Sequence, residues 1–109
     1  NRIRAALEDA GVHTELSRAD DASVGPCIDA RAAAANAAHP DAIVSIHADG
    51  GPPSGRGFHV NYSSPALNDA QSGPAVRLAG DIRDSLAASG FPESSYLAYS
   101  RPALLNPEP

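Results

Sequence analysis

The sequence predicts an α/β domain with a mostly parallel sheet flanked by helices, and three observations predict it. Segments of helical periodicity alternate along the chain with short apolar segments. One of these, AIVSIH at 42–47, is almost continuously apolar, as strands are when both faces of a sheet are covered. The connections are short, which suits a strand–helix–strand unit with parallel strands and a right-handed crossover.

NRIRAALEDAG at 1–11 reads as the end of a helix, with Ile3, Leu7 and Ala10 at helical spacing and Gly11 suited to the residue after the C-cap. VHTELS at 12–17 alternates Val12, Thr14 and Leu16 against His13, Glu15 and Ser17, the pattern of a half-buried strand. RADDASVGP at 18–26 is a polar loop, in which Asp20 and Asp21 are expected to shape the backbone. CIDARAAAANAAH at 27–39 is an alanine-rich helix closed by Pro40. The apolar strand follows, and then ADGGPPSGRG, a loop of Gly, Pro and Ser. FHVNY at 58–62 alternates again and predicts a third strand. SSPALNDAQSGP reads as a connection. From Pro74 to Ser89 a second amphipathic helix places Ala75, Leu78, Ala79, Ile82 and Leu86 on one face and Arg77 and Asp81 outside it, with Gly90 closing it. Beyond Tyr96 the periodicity ends. Residues 97–109 read as an irregular Pro-rich tail to a domain spanning 1–96. Three strands and three helices are few for burying both faces of a sheet, so the expected domain is incomplete.

Composition narrows the function classes. A net charge of −5 with no basic cluster gives nucleic-acid binding little electrostatic support. No apolar run approaches the roughly 20 residues of a membrane span. There is no methionine, so the chain is expected to be a mature product or a segment rather than a translation start. Every basic residue is arginine, and alanine is abundant, a bias that suggests a GC-rich coding genome. The lone Cys27 cannot form an internal disulfide and is expected to be a small buried residue.

The chemistry concentrates at the end of the apolar strand. Ligands of open α/β sheets bind beyond the carboxyl ends of the strands, where His47 falls, and neutral imidazole is a good zinc ligand. The glycines at 50 and 51 leave the backbone bare beside it. Asp49 could orient the imidazole or touch a ligand, although a solvated loop carboxylate is the commoner role at such a position. His13 and His59 fall on polar strand faces, and His39 at a helix end where a cation suits the dipole, so none of them is read as a ligand. There is no H-E-x-x-H, no cysteine pair, no G-x-G-x-x-G, no Walker loop and no G-x-S-x-G elbow.

SIHAD after an apolar strand, together with LSRADD at 16–21, DARAAAANAAHPDAIVSIHADG at 29–50 and GRGFHVNY at 55–62, resembles the zinc-dependent N-acetylmuramoyl-L-alanine amidases, more narrowly the type-3 amidase family of bacterial cell-wall hydrolases. Arg31 and Asn36 match an arginine and an asparagine on the family's helix before the S-I-H-A strand end. DGGPPSGRGFHVNY and GPCIDAR look most like mycobacterial and related actinobacterial members. The order and spacing fit over residues 1 to 90.

The resemblance implies hydrolysis of the amide between N-acetylmuramic acid and L-alanine in peptidoglycan, outside the cytoplasmic membrane: in the periplasm, the cell wall or the medium. It implies one zinc held by two histidines and a glutamate, with a second glutamate assisting the water, and it assigns His47 as the second histidine ligand. Arg31 and Asn36 are expected to brace the sheet and loops rather than touch substrate, and the loop at 49–56 to border the cleft. The first histidine's D-x-G-H-G-type motif and the late L-x-E-x-G-type strand have no match here, and Glu93 and Glu108, in Pro-rich surroundings, are not given the catalytic role. The segment by itself is therefore expected to be inactive. The alternative expectation is a non-catalytic module that binds peptidoglycan or a regulator without metal.

Overall fold

The computed structural model describes residues 1–18, 20–48 and 52–94. The chain divides into two compact units, Asn1–Pro40 and Asp41–Pro109. The tail expected at 97–109 lies outside the described residues, as do Asp49, Gly50 and Gly51.

In the first unit, α1 spans Arg2–Asp9. Gly11 ends it at φ +87°, a conformation that costs a glycine nothing. The freed amides turn back into the helix: Gly11 N donates to Glu8 O at 2.9 Å and Val12 N to Leu7 O at 2.9 Å. Glu8 collects two donors on one oxygen, Arg4 Nε at 2.9 Å and Thr14 Oγ1 at 2.9 Å. The hydrogen bond from Arg4, then the one from Thr14, hold its carboxyl below the usual carboxylate range.

α2 spans Ile28–Ala38. Its six alanines among residues 32–38 supply helix propensity at no side-chain entropy cost. It stops at His39, which takes the left-handed conformation (φ 47°, ψ 52°) and is followed by Pro40, which cannot continue a helix. Cys27 sits at the N-cap and is exposed, not buried as expected, because it lies outside the first turn of α2, a helix that buries none of its own residues.

The loop between residues 17 and 27 holds itself in shape. Asp20 Oδ1 accepts from the amides of Ala22 (2.9 Å) and Ser23 (2.6 Å), Arg18 Nη1 donates to Ser23 O (2.9 Å), and Asn1 Nδ2 donates to Asp21 Oδ2 (3.1 Å). Backbone hydrogen bonding from Ser23, foremost among these contacts, lowers the Asp20 carboxyl below its ordinary value. A lowered native value means that this contribution to loop order is complete above the ordinary aspartate range and is lost as pH falls through the native value. An NMR titration of Asp20 is therefore expected to show a midpoint below the ordinary aspartate value, with the Ala22 and Ser23 amide resonances moving in step; a midpoint at or above the ordinary value would refute the turn.

In the second unit, α3 is the short helix Asp69–Ser72 and α4 spans Pro74–Ala88. α3 falls where the sequence reads as a connection, yet its start carries a helix signal. The Asn68 side chain accepts from Gln71 N (3.0 Å), and the Gln71 side chain returns to accept from Leu67 N (2.8 Å), an arrangement close to a capping box. α4 begins with Pro74 in its first turn, where the missing N–H has no partner to lose. It ends before Gly90, which lies at φ +91°. The face read from periodicity is the face that packs: Ala75, Leu78, Ile82 and Leu86 are half-buried, and Ala79 is 8% exposed, the one buried residue among those described. α3 packs against α4.

The mostly parallel sheet expected from the sequence is not formed among the described residues. Segments 12–17, 42–47 and 58–62 are non-helical, as read, but none forms a strand. The pairing present is one isolated parallel bridge, Phe58 with Glu93. The reason lies in coverage. A strand persists when its backbone groups have ladder partners and its apolar faces are covered, whereas Ile43, Val44 and Ile46 are 47%, 58% and 72% exposed. No helix among the described residues is long and apolar enough to cross a membrane.

Candidate functional site

His47 ends the apolar run Ile43–Val44–Ser45–Ile46 and is exposed, so its imidazole is open to solvent at the end of a segment whose own apolar side chains are exposed. The residues after it that sequence reasoning placed beside a ligand, Asp49, Gly50 and Gly51, lie outside the described residues. The chain is described again from Pro52, where Gly55 N donates to Pro52 O at 2.8 Å and closes a turn. At Gly57–Phe58 the segment is fastened to residues 92–94 by Phe58 N to Pro92 O (3.0 Å) and Ser94 N to Phe58 O (2.8 Å).

The other histidines lie apart from His47 along the chain. His13 is exposed beside Glu15, with Nε2 at 3.7 Å from Oε1. His39 serves as the left-handed C-cap of α2. His59 is half-buried next to the bridge residue Phe58. Among the described residues, no group of three or more His, Cys, Asp or Glu side chains is gathered where it could hold a metal ion. A catalytic zinc takes about three protein ligands and one open position. The described residues therefore do not by themselves make such a centre, and His47 stands as a single imidazole.

Arg31 acts on the backbone, as expected of a bracing residue. Its Nη2 donates to Pro26 O at 3.1 Å across the turn that starts α2, while its Nε is buried without a hydrogen-bond partner. Asn36 is exposed, and its carbonyl accepts from His39 N (3.2 Å) at the helix end. Glu93, left without a catalytic role, forms an ion pair with Arg83 Nε at 2.8 Å.

The N-acetylmuramoyl-L-alanine amidase family model matches residues 1–102. The chain belongs to this family. It is 60% identical over 96 residues to the N-acetylmuramoyl-L-alanine amidase Rv3717 of Mycobacterium tuberculosis, an alignment that takes in 88% of the chain and 40% of that protein. Two solved structures agree. The N-acetylmuramyl-L-alanine amidase Ami1 of Mycobacterium smegmatis superposes with a TM-score of 0.82 at 64% identity, over 87% of this chain and 44% of that one. The apo form of Ami1 from Mycobacterium abscessus superposes with a TM-score of 0.79 at 53% identity, over 86% of this chain and 44% of that one. The chain thus spans 40% of the length of the curated amidase it matches. At these identities the described backbone follows the corresponding part of the amidase structures, although its pairing among the described residues is limited to the Phe58–Glu93 bridge.

Proposed function

We propose that this chain is the central part of an amidase domain, over residues 1–96, that hydrolyses the amide between N-acetylmuramic acid and L-alanine in peptidoglycan, with His47 as one ligand of a zinc ion. The observation that carries this reading is the position of His47: an exposed imidazole at the end of the apolar run, inside a chain that matches the amidase family over residues 1–102. Zinc would supply Lewis acidity toward the scissile carbonyl. The other ligands and the proton-transferring carboxylate are not assigned to residues of this chain, so no step of the reaction is written through them. In the complete domain the segments 12–17, 42–47 and 58–62 take their places as strands of a mostly parallel sheet, whose other members cover Ile43, Val44 and Ile46. The substrate places the working enzyme outside the cytoplasmic membrane: in the periplasm, the cell wall or the medium.

The test is hydrolysis of a purified muropeptide by the protein expressed with the coding sequence that flanks these residues. Mass spectrometry is expected to find a lactyl-bearing sugar with a free carboxylate and a stem peptide with a free N-terminal L-alanine. Intact muropeptide after prolonged incubation with added zinc would overturn the reading.

A further inference from the structure

We propose that residues 91–94 form a strap that opens and closes as one unit on Gly57–Phe58, and that Gly57, not the neighbouring ion pair, is its fastening point. The strap is held on three sides. Its backbone pairs with Phe58 in both directions, through Phe58 N to Pro92 O and Ser94 N to Phe58 O. Its Glu93 carboxylate reaches Arg83 Nε on α4 at 2.8 Å. Its first residue is tied to the end of the same helix by Phe91 N to Leu86 O at 3.2 Å.

These ties differ in what they tolerate. Arg83 and Glu93 are both more than half exposed, and such pairs contribute little. Gly57 is different in kind. A Cβ there would stand 2.7 Å from Pro92 O, 2.7 Å from Ser94 N and 2.8 Å from Glu93 C. All three are backbone atoms, and none can rotate aside as a side-chain end would. Gly57 is also at φ +101°, outside the range that L side chains adopt readily. Close backbone approach and left-handed φ therefore coincide at one residue. The strap joins α4 to Gly57, ten residues beyond His47, and so fixes the far end of the segment that leaves the candidate ligand.

Amide hydrogen exchange on the full chain tests this. Phe58 and Ser94, the two amides that donate across the bridge, are expected to share one protection factor, since a strap that opens as a unit frees both together. Gly57→Ala is expected to speed both by about tenfold or more while the amides of α4 from Leu78 to Ile82 keep their protection. Arg83→Gln is expected to change both by less than about fivefold. Gly57→Asn separates the two causes, because asparagine tolerates positive φ but carries a Cβ; it is expected to behave as the alanine variant does. The proposal is overturned by unequal protection of Phe58 and Ser94, by Gly57→Ala leaving them unchanged or unfolding α4 as well, by Arg83→Gln releasing them as fully as Gly57→Ala, or by Gly57→Asn retaining the pairing.

Discussion

Replacing His47 with alanine in the amidase expressed with its flanking coding sequence is expected to lower muropeptide hydrolysis by about a thousandfold or more, equivalent to about 4 kcal/mol of transition-state stabilisation. Zinc content after dialysis is expected to fall with it, because removing one of about three ligands leaves too few to retain the ion. The variant is clean as a probe of chemistry. His47 is exposed, so its loss removes no packing, and an exposed substitution usually moves stability by no more than about 0.5 kcal/mol. Circular dichroism of the variant should match that of the parent. If hydrolysis and zinc both survive, His47 is not a ligand. If the parent binds peptidoglycan without zinc and the variant binds equally well, the non-catalytic module is the better reading.

Ala79→Asp is expected to be the most disruptive substitution in α4. Ala79 is 8% exposed, on the helix face shared with Ala75, Leu78, Ile82 and Leu86. Arg83, four residues on, is already paired with Glu93 at 2.8 Å, so a carboxylate at 79 must compete for that guanidinium, stay ionised in a buried position or take up a proton. Burial on those terms costs about 1–3 kcal/mol. Ser85→Asp, on the exposed side of the same helix, is expected to cost less than about 1 kcal/mol. Urea unfolding followed by helical circular dichroism checks the pair. Equal midpoints for the two variants would mean that the face of α4 bears no part of the unit's stability.

The helices were legible because their signals are local. Periodicity marks the packing face of α4 residue by residue, and Gly11 and Gly90, which end helices in the sequence pattern, lie at positive φ. α3 was missed although Asn68 and Gln71 carried its start, because four residues hold too little periodicity to be noticed. The strands fared differently for a physical reason. Alternation and apolar runs say which residues avoid water, but a ladder also needs neighbours for its N–H and C=O groups, and those neighbours are a non-local property. Cys27 shows the same limit: small size favours burial on average, while its place before the first turn of α2 decides the matter. Of the candidate site, the place of His47 at the end of an apolar run is legible in the sequence. Its role as a ligand rests on the resemblance carried by SIHAD and the stretches around it, since one imidazole has no spacing of its own to interpret.

The scarcity of buried side chains among the described residues has a calorimetric side. Unfolding enthalpy, heat-capacity change and denaturant sensitivity all scale with the surface that folding hides. A polypeptide in which Ala79 alone is buried among the described residues has little left to expose. Heat unfolding of these residues alone is expected to absorb little heat, and dyes that seek apolar surface will find Ile43, Val44 and Ile46 before any heat is applied.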